Sequence, residues 1–269
     1  KHKKDNLPKL NESELDKFLK LLYTSKKPVI IVGAGVKNSE NHFEVMDLAK
    51  KLNVPIVTSA GHKDIIPFDF NLYAGQMGPR GNIVASYLVK ESDLIIALGT
   101  RLGFNSTFYS YDILSKNAKI FQVDIDAKSL GRYFPIEIGI CNDVKKVVNK
   151  LISLINKQSI LPKFDNWINQ FIEKKIKLNK QRDNVNINSS PIQPLGLFKV
   201  MRDLMPTNSL VTLDAGTLCL QANDMFNFAN PKSFFTPLDF GLVGFSFACG
   251  LGVKLAKPEC PVFSFMGDG

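Results

Sequence analysis

The sequence predicts an α/β protein: a doubly wound parallel sheet followed by the beginning of a second α/β unit. Three observations predict it. Continuous apolar runs such as Pro28–Val32 and Leu94–Leu98 lack the alternation of a half-exposed strand. Stretches with helical apolar spacing separate those runs, and the whole pattern restarts at Pro191. Strands that are apolar on both faces need cover on both faces, and crossover helices between parallel strands supply it.

In chain order, Ser13 is placed to cap a helix with Leu15, Phe18, Leu19 and Leu22 on one face, and Lys26-Lys27 leads into the strand Pro28–Val32. Gly33-Ala34-Gly35 ends that strand, and Phe43, Met46, Leu48, Ala49 and Leu52 trace the next helix before a short strand at Ile56 and Val57. Ile83, Val84, Tyr87 and Leu88 mark another helix, Leu94–Leu98 a buried strand, Ala118–Asp126 a further one, and Ile136–Cys141 the last of this set. Asp143 caps a helix carrying Val144, Val147, Val148, Leu151 and Ile155. Residues 12–155 therefore read as one domain.

Residues 156–190 are polar and lysine-rich and read as a linker, with Trp167, Phe171 and Ile172 marking a helix that docks on a neighbour. From 191 to 269 the chain offers a helix at Leu195–Met205, a strand at Leu210–Leu213, a small-residue helix at Gly244–Lys257 and the strand Val262–Met266, which runs into Gly267-Asp268-Gly269. A parallel strand needs a returning crossover to cover it, so this second unit reads as truncated and the chain as a fragment of a longer protein.

The 269 residues are 45% apolar, enough for a substantial core. No apolar run approaches the ~20 residues of a membrane helix, and the charged start lacks the apolar stretch of a signal peptide, so a cytoplasmic protein is expected. The four cysteines are widely spaced, with no Cys-x-x-Cys for zinc or a disulfide framework. The formal charge of +9 is spread in single and paired lysines along amphipathic stretches, which reads as solvated faces and not as a nucleic-acid surface.

Ligands of open α/β sheets bind beyond the carboxyl ends of the strands, so the residues that follow each strand carry the chemistry. In the first domain these are Gly33 and Gly35, Gly99-Thr100-Arg101, then Asp124 and Asp126. A dinucleotide fingerprint G-x-G-x-x-G is incomplete, because position 38 is Asn, and an NAD-dependent dehydrogenase fails on that ground. Arg101 suits either a diphosphate or a structural ion pair. In the second unit, Asp214-Ala215-Gly216-Thr217 follows a strand and offers N–H groups at a helix start, a natural phosphate position. Gly241-Leu242-Val243-Gly244 opens a helix and serves either close packing or a ligand. Gly267-Asp268-Gly269 is either a turn or a place where one carboxylate meets a hard cation that also holds phosphates.

The order of these elements is more telling than any one of them. PVIIVGAGV, VPIVTSAG, LYAGQMGPRG, SDLIIALGTRL, AKIFQVDIDAKSLGR, VTLDAGT, GLVGFSFACGLGVKLAKP and FSFMGDG together resemble the acetolactate synthase group of thiamine-diphosphate (ThDP) enzymes, from Lys27 to Gly269. Within that group GTRLGFNSTF, QVDIDAKSLGR and GPRG look most like sulfoacetaldehyde acetyltransferases. The resemblance implies a Rossmann-like central domain, then the start of the ThDP-binding domain. It implies that Asp268 ligates Mg2+, that Gly267 and Gly269 flank the cofactor diphosphate, and that Gly216 and Thr217 touch it from the other side. Gly241 would offer its carbonyl to the aminopyrimidine amine, and Val243 would prop the cofactor in its bent shape, where many relatives have a larger Met or Leu.

The same resemblance implies a small-molecule substrate, a homodimer or homotetramer in the full-length form, and an activating glutamate on a separate N-terminal domain. No catalytic residue of this chain is assigned, and the chain alone is expected to be inactive. Acetolactate synthases also hold FAD, at positions matching Gly33, Gly35, Gly78, Gly81, Gly99, Arg101, Asp124 and Asp126. Here Gly103-Phe104-Asn105 replaces their Asp-Asp-Arg, which counts against flavin. The expected function is a ThDP- and Mg2+-dependent acyl or aldehyde transferase, or decarboxylase, acting on a small 2-keto acid or related aldehyde. The alternative is a non-catalytic flavin- or nucleotide-binding module.

Overall fold

The computed structural model describes residues 7–267. Two parallel sheets organise the chain. The first holds six strands in the order β3-β2-β1-β4-β5-β6, namely β1 (Pro28–Val32), β2 (Ile56–Thr58), β3 (Tyr73–Gln76), β4 (Leu94–Leu98), β5 (Lys119–Asp124) and β6 (Ile138–Cys141). Every residue of β1 and β4 is buried, as their unbroken apolar runs require.

The crossovers are α2 (Ala34–Ser39) with α3 (His42–Leu52), then α4 (Ile83–Glu91) and α5 (Phe104–Thr107), while α1 (Glu12–Thr24) and α6 (Val144–Ile155) complete the layers. The chain winds outward from β1 to β3 and then returns to β4, so the switch of direction lies between β1 and β4.

Local capping differs from the sequence reading at the first helix. Asn11, not Ser13, is the N-cap of α1, and its side chain accepts from the Ser13 N–H. Asp143 caps α6 as expected, accepting from Lys145 N at 2.8 Å. Asn82 caps α4 by accepting from Val84 N and Ala85 N, while its Nδ2 donates to the Ala74 carbonyl of β3. That side chain explains Gly75, whose φ is +99° and whose added Cβ would lie 2.0 Å from Asn82 Nδ2. Strand β3 carries Gly and Gln among its four residues, so neither apolar run nor alternation announces it.

The stretch read as a linker is largely α7 (Asp165–Asp183), which lies against the first domain. Its Trp167, Ile168, Phe171 and Leu178 join the main hydrophobic core, and Trp167 Nε1 donates to the Pro28 carbonyl at 2.9 Å.

The second unit contains α8 (Pro194–Leu204), β7 (Leu210–Leu213), α9 (Thr217–Met225), β8 (Phe234–Phe235), α10 (Phe245–Ala256) and β9 (Val262–Phe265). Its sheet runs β8-β7-β9, all parallel, over a small cluster built on Phe198, Val211, Leu213, Met225, Phe226 and Phe234. The two-residue β8 is too short to register as a strand in the sequence. Among the described residues no helix is long and apolar enough to cross a membrane.

Candidate cofactor site

Two strand-end regions were candidates, and the structure separates them. At the β1/β4 switch point the glycines are consumed by backbone packing. Gly33 N donates to Leu98 O, Gly35 N to Gly99 O and Val36 N back to Gly33 O. A Cβ on Gly33 would lie 2.6 Å from the Gly99 carbonyl oxygen, and one on Gly35 would lie 2.6 Å from Gly99 Cα. These N–H groups already have acceptors, and α2 has only six residues.

Arg101 is an ion-pair residue here, 3.3 Å from Asp239, and Asn105 Nδ2 donates to the Leu238 carbonyl. The second unit thus reaches the residues that follow β4, and this turn, its N–H groups already bonded to backbone carbonyls, does not fit a diphosphate cradle. Asp124 accepts from Asp126 N, and burial raises its carboxyl pKa.

The carboxyl end of the second sheet is different. Gly216 is the N-cap of α9 and has no side chain to accept from the first-turn N–H groups, which leaves donors for an anion. Gly241 (φ +67°) and Gly244 (φ +78°) frame a turn that brings Gly241 alongside Ala215, 4.0 Å from an added Cβ to the Ala215 Cβ. Nothing lies within 4 Å of a Cβ added at Gly216, Gly244 or Gly267, so these backbones border open space. Val243 projects from this turn with 70% of its surface exposed. Leu213 pairs with Phe265 across β7 and β9, which sets Gly267 beside the Asp214–Thr217 loop.

The structure therefore gathers Gly216, Thr217, Gly241, Val243 and Gly267 at one end of one sheet. Asp268 and Gly269 lie outside the described residues. Among the described residues no group of three or more His, Cys, Asp or Glu could hold a metal ion. A magnesium held by one carboxylate and the ligand's own phosphates needs no such group.

Sequence reasoning passed over the residues that fasten the two units together. Asp64 is fully buried and accepts from Lys37 Nζ, Ser233 N and Phe234 N. Lys63, 6% exposed, donates to the Asn223 and Asp224 carbonyls at the carboxyl end of α9. Burial drives its ammonium pKa down to about 7. Isolated charges in a loop carry no pattern that distinguishes these two from solvated ones.

A cavity of about 440 Å³ lies between the units, lined by Lys63, Lys175, Arg182, Arg202, Ser209 and Phe228 among others. Ser209 and Ser233 precede β7 and β8, so the cavity is at the amino ends of those strands, away from the glycine loops. Its cations have partners: Lys63 and Lys175 bind backbone carbonyls, Arg182 pairs with Asp224, and Arg202 pairs with Asp183 and Asp203.

The family model described as "Thiamine pyrophosphate enzyme, central domain" matches residues 15–151, and "Thiamine pyrophosphate enzyme, C-terminal TPP binding domain" matches residues 214–269. The chain belongs to the thiamine pyrophosphate enzyme family. The second match begins at Asp214 and contains every glycine gathered at the second sheet's carboxyl end.

Similar proteins include the sulfoacetaldehyde acetyltransferase of Castellaniella defragrans, 31% identical over 95% of this chain and 46% of the relative. The probable acetolactate synthase large subunit of Methanococcus aeolicus is 32% identical over 95% of this chain and 44% of its own length. The acetolactate synthase large subunit of Haemophilus influenzae is 28% identical over 96% of this chain and 45% of its own length. The chain thus spans less than half the length of these thiamine pyrophosphate enzymes. A flavin- or nucleotide-binding module is not favoured, because the cofactor-domain match lies outside the part that reading would need.

Proposed function

We propose that the full-length protein is a ThDP- and Mg2+-dependent transferase or decarboxylase acting on a small 2-keto acid or related aldehyde, in the manner of its acetolactate synthase and sulfoacetaldehyde acetyltransferase relatives. One observation carries the reading: three glycine-bearing segments converge at the carboxyl end of the β8-β7-β9 sheet, beside a helix start with no side-chain cap. Bound thiamine diphosphate supplies a nucleophilic carbon and an electron sink for the acyl group.

The chain's own residues bind and orient. Thr217 and the first-turn N–H groups of α9 receive the diphosphate, with the positive end of the helix dipole favouring the anion. Gly267 borders the same open space at the end of β9; Asp268 and Gly269, which follow it in the sequence, would hold the magnesium-bound diphosphate there, Asp268 supplying a carboxylate to the metal. Gly241 offers a backbone carbonyl to the amine of the cofactor's ring, and Val243 gives that ring an apolar support. The two family matches support the ThDP chemistry and the sulfoacetaldehyde acetyltransferase relatives support a two-carbon acyl group, and assembly as a homodimer or homotetramer in the cytoplasm belongs to the same reading.

Calorimetric titration of ThDP into the full-length protein, with and without Mg2+, tests it. Magnesium-dependent binding that Asp268→Asn weakens is the expected result. Equal binding by the variant would remove the metal-ligand assignment, and no binding by the parent would remove the function.

A further inference from the structure

Asp214 holds three elements of the cofactor site at once. It stands at the end of β7 and is 3% exposed. Its Oδ2 accepts from Gly244 N at 3.0 Å, and its Oδ1 accepts from Ser246 N at 2.6 Å. Its own N–H donates to the Phe265 carbonyl at 3.0 Å, at the end of β9. Gly244 is the N-cap of α10 and contributes no side-chain cap. Asp214 supplies that cap from thirty residues earlier in the chain. A carboxylate is the fitting group, because it accepts from two N–H groups at once and its charge meets the positive end of a helix.

We propose that Asp214 is a positioning residue for the cofactor: it locks the Gly241–Gly244 turn against the Gly216–Thr217 loop, so that the diphosphate cradle and the ring support are at working separation before the ligand arrives. The proposal rests on the ThDP reading above. Its geometry is specific to the turn. The hydroxyls of Ser246, Thr212 and Ser264 form a second network beneath the same helix, which shares Ser246 with Asp214 but does not touch Gly244. The Asp214 carboxylate links the end of β7 to both Gly244 and Ser246 at the start of α10, and its N–H links to the end of β9. Preformed geometry spares the ligand the entropic cost of ordering the turn.

An amide at position 214 keeps the shape but has one acceptor oxygen. Its NH2 group would face an N–H donor, and one of the two links would be lost. Full-length parent, Asp214→Asn and Thr212→Val proteins are titrated with ThDP at saturating Mg2+. The expected result is at least a tenfold rise in the ThDP dissociation constant for Asp214→Asn. Thr212→Val should lower the melting temperature and leave ThDP affinity unchanged.

Unchanged affinity in Asp214→Asn, with a parent that binds ThDP, overturns the proposal and leaves the ThDP reading intact. An equal affinity loss in Thr212→Val overturns it too, by making the effect one of general loosening. A parent that does not bind ThDP removes both. Hydrogen exchange on the parent covers the case of a variant that does not fold: the Gly244 and Ser246 amides should be protected before ThDP is added. Free exchange there, with protection only on binding, would also overturn the proposal.

Discussion

Replacing Asp64 with alanine should loosen the junction between the two units. The carboxylate is completely buried, and Lys37, whose side chain is 15% exposed, sits 2.7 Å from it. Two backbone N–H groups, Ser233 and Phe234, donate to Oδ2 at 3.0 and 3.2 Å. Removing one partner of a buried ion pair costs about 3–5 kcal/mol, because the other charge stays behind without compensation. Each buried N–H left without an acceptor would by itself cost about 1–3 kcal/mol, and these losses overlap with the first and do not add to it. Lys37 keeps one further bond, to the Phe234 carbonyl, which sets the expected loss near the low end, ~3 kcal/mol.

For a chain of this size that lowers the melting temperature by roughly 6–12 °C. Thermal and urea unfolding of Asp64→Ala, Lys37→Met and the double variant measures both the loss and its coupling. If the pair is the cause, the double variant is less destabilised than the sum of the singles, by roughly 1–3 kcal/mol. A loss under about 1 kcal/mol, or strict additivity, would show that Asp64 does not carry the junction.

Three further perturbations have clear signs. Lys63 titrates near pH 7 in the folded protein against 10.5 as its ordinary value, so between those values the unfolded chain binds the extra proton and this group makes stability rise with pH. Lys63→Met should flatten that part of the slope in urea melts at pH 6 to 9, leaving the smaller contribution of Lys175, itself lowered to about 8 by burial; an unchanged slope would refute the assignment. Gly35→Ala should destabilise by about 1–3 kcal/mol through its clash with Gly99 Cα, without altering Mg-ThDP affinity. Trp167→Ala should cost about 3–5 kcal/mol in chemical denaturation, and parent Trp167 fluorescence should report α7 leaving the sheet together with loss of the central-domain circular dichroism signal.

How legible the fold was depended on whether burial left a pattern. The runs Pro28–Val32 and Leu94–Leu98 are strands at those limits because each is apolar on both faces and bounded by a polar residue and a glycine. Strands β3 and β8 left no such mark: one contains Gly75 and Gln76, and the other is only Phe234 and Phe235. The docking of α7 was half legible, since Trp167 and Phe171 announced an apolar face but not its partner.

At the site, glycines after strands were readable at both ends, yet the same residue type serves two purposes. Gly33, Gly35 and Gly99 let two loops touch, whereas Gly216, Gly244 and Gly267 face open space. Local sequence does not encode that difference, because it depends on which loop the topology brings opposite. Asp64 and Asp214 were equally opaque, as each acts on backbone far away in the chain.

The contacts between the units point to what the central domain contributes. Much of the apolar burial lies inside each unit, in two separate clusters. Across the junction the links are directional and polar: Asp64 to the N–H groups of Ser233 and Phe234, Lys63 to the end of α9, Arg182 to Asp224, Asn223 to the Arg80 carbonyl, and Asn105 to the Leu238 carbonyl. Hydrogen bonds add modest net stability but tolerate little misalignment, so a junction made of them fixes orientation more than it adds adhesion. Lys63 and Asp64 are neighbours in one loop, and they grip both the carboxyl end of α9 and the start of β8. Helix α9 begins at Gly216, and β8 pairs with the strand that ends in Asp214. A loop of the central domain thereby sets the attitude of the elements that carry the proposed diphosphate site. With its own switch-point turn closed by backbone packing, the central domain acts on that site by holding it.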